Sequence, residues 1–183
     1  MQTRRVVTGM VDGQSVVVSD GPAPNFHAYR GWPGHTTSVV WATAADPSLP
    51  AATTEPATAE PAPAGMDVLP GPGETRLMIV RLPPDAVFAD PRFDPTLFGE
   101  ETLAHSRDLS ARFEPDAPGF HTTDSVDYDI VLDGEIWLEL DEGEATHLRA
   151  GDVAIQNGTR HAWRNRSDRT TTMAFVLIGA RQG

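Results

Sequence analysis

Along the second half of the chain, apolar and polar residues alternate with a period of two or gather into short apolar runs, as half-buried and buried strands require. Tyr128–Leu132, Glu135–Leu140, Thr146–Leu148, Val153–Gln156, His161–Asn165 and Thr171–Ile178 are the segments concerned. Asp133-Gly134, Glu142-Gly143, Gly151-Asp152 and Asn157-Gly158 punctuate them as turns. Short strands at this rhythm predict an all-β sandwich or barrel. Thr75–Leu82 is a further strand. Nearer the N-terminus, Arg5–Thr8, Ser15–Ser19 and Thr37–Thr43 are short β-branched runs, and Asp12-Gly13 between the first two predicts a hairpin. Pro95–Arg112 is the one stretch with helical spacing, through Leu97, Phe98, Leu103 and Leu109, although a long loop fits it nearly as well.

Residues 44–73 break the pattern. They are rich in Ala, Pro, Thr and Glu, and Pro50, Pro56, Pro61, Pro63, Pro70 and Pro72 exclude a helix or an interior strand. Neither flank looks self-sufficient, so the segment reads as an extended surface loop inside one domain spanning 1–183. Residues 1–43 form an N-terminal β-arm, 44–73 the Pro/Ala-rich loop and 74–183 the barrel. The apolar edges of the arm, Val6-Val7 and Val16–Val18, need a partner, either the barrel edge or a second subunit.

Composition narrows the chemistry. The chain has 183 residues with 14 basic and 26 acidic side chains, a net charge of −12. All the basic residues are arginine; lysine and cysteine are absent. Schiff-base chemistry, a phosphate-loop lysine, a thiolate nucleophile, disulfides and Cys-ligated zinc are therefore excluded. The acidic balance argues against binding a nucleic-acid backbone. The longest apolar run, Met173–Ala180, falls well short of the ~18 residues of a membrane span. The stretch after Arg4 and Arg5 is too interrupted for a signal peptide, and a cytoplasmic location is the default expectation. There is no Gly-x-Ser-x-Gly, and Gly71-Pro-Gly73 lacks the strand–turn–helix setting of a nucleotide loop.

The informative segment is His121-Thr-Thr-Asp-Ser-Val-Asp127. In a strand, His121, Thr123, Ser125 and Asp127 share one face, and that face is no ordinary apolar interior. Downstream, His161 and Trp163 share a second face. Tyr128 points away from the Asp127 side and serves packing. His27, His35, His105 and His147 have no matching partner and read as surface residues.

In these residues the chain resembles the cupin superfamily, whose small double-stranded β-helix (jelly-roll) barrels usually bind one metal. His121, Thr123, Asp127 and Gly134 stand at the spacing of the first cupin motif, and Gly158, His161 and Asn165 fit the second. Thr123 stands where a second histidine is expected, Asp127 replaces the usual glutamate, and Gln156 sits at a proline position. The resemblance covers roughly residues 118–178.

The resemblance implies a metal-dependent enzyme for a small organic acid, enol or phenolic compound. His121, Asp127 and His161 are the implied catalytic residues and ligands of one divalent metal, Fe first, with Zn, Mn, Ni or Co as others. A ligand set of two histidines and one carboxylate places an oxygenase slightly ahead of a decarboxylase or an isomerase/cyclase. Thr123, Gln156, Trp163 and Arg160 are candidates to contact substrate, with barrel filling an equal reading of Trp163. The alternative is a non-catalytic small-molecule-binding or sensing barrel. A homodimer, with neither nucleic acid nor membrane as partner, completes the expectation.

Overall fold

A computed structural model of the chain describes residues 2–49 and 67–181. Pro50, Pro56, Pro61 and Pro63, on which the extended loop was expected, lie outside the described residues.

The N-terminal hairpin forms as its turn chemistry dictates. β1 (Arg4–Val11) pairs antiparallel with β2 (Gln14–Pro22) through Asp12 and Gly13, both at positive φ (49° and 77°). That is the backbone a two-residue hairpin turn needs, and Asp-Gly supplies it cheaply. The hairpin is a two-stranded sheet of its own. Ala23 N–H donates to the Thr3 carbonyl, and the Arg5 guanidinium donates to the Val40 carbonyl and lies over the Trp41 ring.

The remaining strands make two sheets. β3 (Asn25–Ala28), β4 (Thr36–Thr43), β5 (Thr75–Leu82), β6 (Ser125–Asp133), β9 (Val153–Asn157) and β11 (Thr171–Gly179) form the larger, in the order β3-β4-β5-β11-β6-β9. β7 (Glu135–Glu139), β8 (Ala145–Arg149) and β10 (Ala162–Arg164) form the smaller, in the order β10-β7-β8. From β6 onward the chain passes between the two sheets and returns, the winding of a double-stranded β-helix. One apolar cluster joins them: Val131 of β6 and Met173 of β11 pack with Ile136 of β7, flanked by Leu148 and Trp163. A second cluster of Val39, Val68, Met78, Val80 and Leu177 fills the other end of the large sheet. Val68 is a correction to the reading of 44–73 as surface chain. Its side chain is buried because Leu69 N–H donates to Asp108 and fixes this stretch against the core.

Pro95–Arg112 is helical in two pieces rather than one. α1 (Pro95–His105) opens on an Asp94 side-chain cap to Leu97 N–H with Pro at its first turn, and α2 (Arg107–Ser110) follows after a break at Ser106. Buried Glu101 anchors α1 by accepting from the backbone N–H groups of Arg30 and Gly31. The reading of the histidines as surface residues holds for exposed His105 and is corrected at His35. His35 is buried, with Nδ1 on the Arg81 carbonyl and its ring stacked on Trp32. His27 stacks on His105 at 3.7 Å between ring centres, and His147 pairs with Glu135 at 2.7 Å while stacking on Trp137.

Candidate functional site

The segment leading into β6 and the start of β10 meet side by side. His121 N–H donates to the His161 carbonyl at 3.0 Å, and His161 N–H returns the bond at 3.1 Å. A reciprocal antiparallel pair puts both side chains on one face, and the two imidazole centres are 4.4 Å apart. Phe113 bridges to His121 on the other side, with its ring 4.8 Å away.

Each imidazole is oriented by backbone. His121 Nδ1 lies 3.1 Å from the Gly119 carbonyl, and His161 Nδ1 lies 2.9 Å from the Thr159 carbonyl. A carbonyl only accepts, so each Nδ1 carries the proton and each Nε2 keeps its lone pair. Burial, followed by the neighbouring His161, depresses His121 to about 4. Burial also lowers His161, against the pull of Asp127 and the Thr159 carbonyl. Both rings are thus neutral donors at neutral pH.

β6 carries the polar interior. Ser125, Asp127, Asp129 and Val131 alternate inward and are buried, while Tyr128 faces out, as the period of two requires. Ser125 Oγ donates to Thr123 Oγ1 at 3.0 Å, and Thr123 Oγ1 donates to Asp127 Oδ2 at 3.3 Å. Burial pushes the Asp127 carboxyl above the usual range, opposed by these hydroxyls and by His161. Gln156 of β9 stands directly across from Asp127 in the ladder and is buried; its Oε1 accepts from Thr159 at 2.5 Å. Trp163 lies between His161 and Phe175, with ring centres 6.0 Å and 5.9 Å away in edge-to-face geometry.

Asp129 escaped the sequence reading. It is buried two residues beyond Asp127 on the same face, with no hydrogen bond to either oxygen. Burial, then the charge of Asp127, raises its carboxyl to about 8. The alternation that placed His121 through Asp127 on one face extends to Asp129 without further information. Arg160 is a correction: it does not reach the interior. Its guanidinium is held by a bidentate bond to Glu114 (2.7 Å), a bond to Asp141 (2.8 Å) and the face of Phe120. Asn165 is structural, with its amide donating to the Leu82 and Arg169 carbonyls.

The donor chemistry of the His121–His161 pair fits a divalent metal: two neutral imidazoles, side by side, each fixed through Nδ1 with Nε2 left over. Among the described residues, no group of three or more His, Asp or Glu side chains is arranged to hold such an ion. His121, Asp127 and His161 are therefore brought together as a histidine pair with a carboxylate on the same interior, not as a closed triad.

A cavity of about 470 Å³ lies at the Ser125 end of β6, lined by Leu69–Pro72, Arg112, Asp124, Ser125, Ala180 and Arg181. Asp124 of the motif segment is paired there with Arg112 at 2.7 Å.

No family model matches the chain. It is similar to the phomopsin biosynthesis cluster protein C' of Diaporthe leptostromiformis, 55% identical over 62 residues, 33% of each chain. It is also similar to the cupin-domain-containing oxidoreductase virC of Hypocrea virens, 41% identical over 61 residues (32% of this chain, 31% of the relative). The corresponding protein fogC of Aspergillus ruber is 38% identical over 82 residues, 40% of each. The chain thus spans about a third of the length of the curated relatives it matches first. Among solved structures, it is similar to the Cupin_2 domain of an XRE family transcriptional regulator from Enterobacter cloacae. That match has 16% identity and a TM-score of 0.36, covering 58% of this chain and 83% of that one. The fold defines the class as a double-stranded β-helix protein. The names of virC and fogC carry a cupin domain.

Proposed function

We propose that the chain is a cupin-type oxidoreductase with one divalent metal at the His121–His161 pair, acting on a small organic acid, enol or phenolic substrate. The oxidoreductase class is supported by relatives that bear that name. One observation carries the metal reading: two neutral imidazoles 4.4 Å apart, each with Nδ1 on a backbone carbonyl and no hydrogen bond on Nε2 among the described residues. Iron is the first candidate. The bound metal would supply Lewis acidity or dioxygen activation. Asp127 stands on the same interior as the carboxylate of the set, with Thr123 holding one of its oxygens in place. Phe113 packs against the His121 ring, and Trp163 and Phe175 give that interior an aromatic side.

Metal analysis of protein purified without chelators or a histidine tag tests this directly. The expected result is close to one equivalent of a transition metal, largely lost in the His121→Ala/His161→Ala double variant. A folded chain that arrives empty and takes up none would leave the non-catalytic binding barrel as the better reading.

A further inference from the structure

Between α2 and the first motif histidine, residues 113–120 make a compact loop that lies against His121. Its backbone folds on itself: Glu114 N–H donates to the Phe120 carbonyl, and Phe120 N–H donates to the Ala117 carbonyl. None of residues 111–120 is buried, and none of the loop joins either apolar cluster. A loop whose ends meet, whose hydrogen bonds are internal and which buries no apolar side chain opens as a unit at little cost to the core.

Two of its groups sit on His121. The Phe113 ring lies 4.8 Å from the imidazole centre, and the Gly119 carbonyl accepts from Nδ1 at 3.1 Å. The loop therefore covers this histidine and also sets which of its nitrogens carries the proton. Gly119 permits the approach. Its φ is 84°, and a Cβ there would meet Arg164 Nη1 at 2.9 Å.

Charge fastens the loop in place of apolar burial. Arg160, one residue before His161, donates twice to Glu114 of the loop at 2.7 Å and once to Asp141, on the turn between β7 and β8, at 2.8 Å. Its guanidinium also lies 4.0 Å from the centre of the Phe120 ring. Arg160, Glu114 and Asp141 are all partly exposed, so dissolved salt reaches and screens this clasp.

We propose that residues 113–120 are a flap over the His121–His161 pair, that Arg160 latches it shut through Glu114, and that its opening admits ligands to the pair. The proposal rests on that pair being the working site, and its test reads access to the imidazole with no metal bound. Diethyl pyrocarbonate acylates an accessible neutral imidazole, and mass spectrometry of the chelator-treated protein near neutral pH gives the rate at each histidine. In the unsubstituted chain His121 is expected to react more slowly than exposed His105. Arg160→Gln and Glu114→Gln are each expected to raise the rate at His121 about fivefold, the worth of a bidentate arginine–carboxylate pair at a surface, and to leave His105 unchanged. About 0.5 M sodium chloride is expected to raise the His121 rate in the unsubstituted chain and not in either variant, a response that a merely structural role would not produce.

His121 as reactive as His105 at the outset, folded variants with an unchanged His121 rate, or an equal rise at both histidines would each overturn the latch. If circular dichroism shows that Arg160→Gln does not fold, Glu114→Gln and the salt series on the unsubstituted chain decide. A working latch in a chain that takes up no metal would sink the metal reading and leave the flap standing; metal uptake with no response to salt or to Glu114→Gln would do the reverse.

Discussion

At the scale of single residues, the interior carboxyl of Asp129 sets an unusual pH dependence. Its folded value of about 8 stands above the ordinary 3.8, through burial first and Asp127 second. Between those values the folded state holds a proton that the unfolded state has released, so stability falls as pH rises through the window. Asp129→Asn keeps the shape without the charge. The variant is expected to gain in melting temperature on the unsubstituted chain between pH 5 and pH 8.5, with its largest advantage at pH 8.5. A lower melting temperature at both values would contradict the assignment. Histidine acts from the other side. His35 and His121, both depressed to about 4 by burial, remain neutral in the fold while the unfolded chain takes up protons. Stability therefore declines as pH falls from about 6.5 toward 4, where the two histidines outweigh the one carboxyl, and these three groups together place the optimum near the upper end of the histidine window.

At the scale of elements, the turn between β6 and β7 links the two sheets, and its glycine is forced twice over. Gly134 sits at φ 90°, and a Cβ there would meet Thr171 Oγ1 at 2.6 Å. That hydroxyl donates to the Glu135 carbonyl and accepts from Glu135 N–H, tying the end of β7 to β11. Gly134→Ala is expected to cost about 2–4 kcal/mol, read as a lower midpoint in chemical denaturation, from the disfavoured backbone and displacement of Thr171. A cost within a few tenths would mean that the turn relaxes freely. This explains physically why the motif spacing included a glycine, and it shows what was legible in the chain. The strands of the barrel were readable because alternation and turn dipeptides are local. So was the meeting of His121 with His161, through matched motif spacing. β3 was missed because Asn25–Ala28 has no β-branched residue and exists by pairing with β4. The core position of Val68 and the capture of Arg160 by Glu114 depend on contacts between distant segments, which no local pattern encodes.

At the scale of the whole molecule, two apolar surfaces are left open on one chain. A lone two-stranded hairpin is marginal in water, yet the β1–β2 arm presents Val6, Met10, Val11 and Val17 to solvent. Across the molecule, the outer face of β6 and the edge strand β9 exposes Tyr128, Leu132, Val153 and Ile155, with Tyr128 directly opposite Ile155 in the ladder. β9 carries no charge of the kind by which edge strands usually avoid association, and the exposed charges of the arm, Arg4 and Asp20, neutralise each other at 2.7 Å. Two-fold symmetry would let the arm of each copy cover the sheet face of the other, closing both surfaces at once. A homodimer is therefore expected in sedimentation velocity at micromolar concentration and physiological salt, where the self-repulsion of a −12 chain is screened. Val17→Glu and Ile155→Glu, one on each surface, are each expected to shift the population to monomer without changing metal content. Because the His121–His161 pair lies inside the barrel and not on either surface, a monomer that keeps its metal would separate assembly from the site. A monomeric unsubstituted chain would show instead that the arm is stable on its own Arg5 and Ala23 contacts.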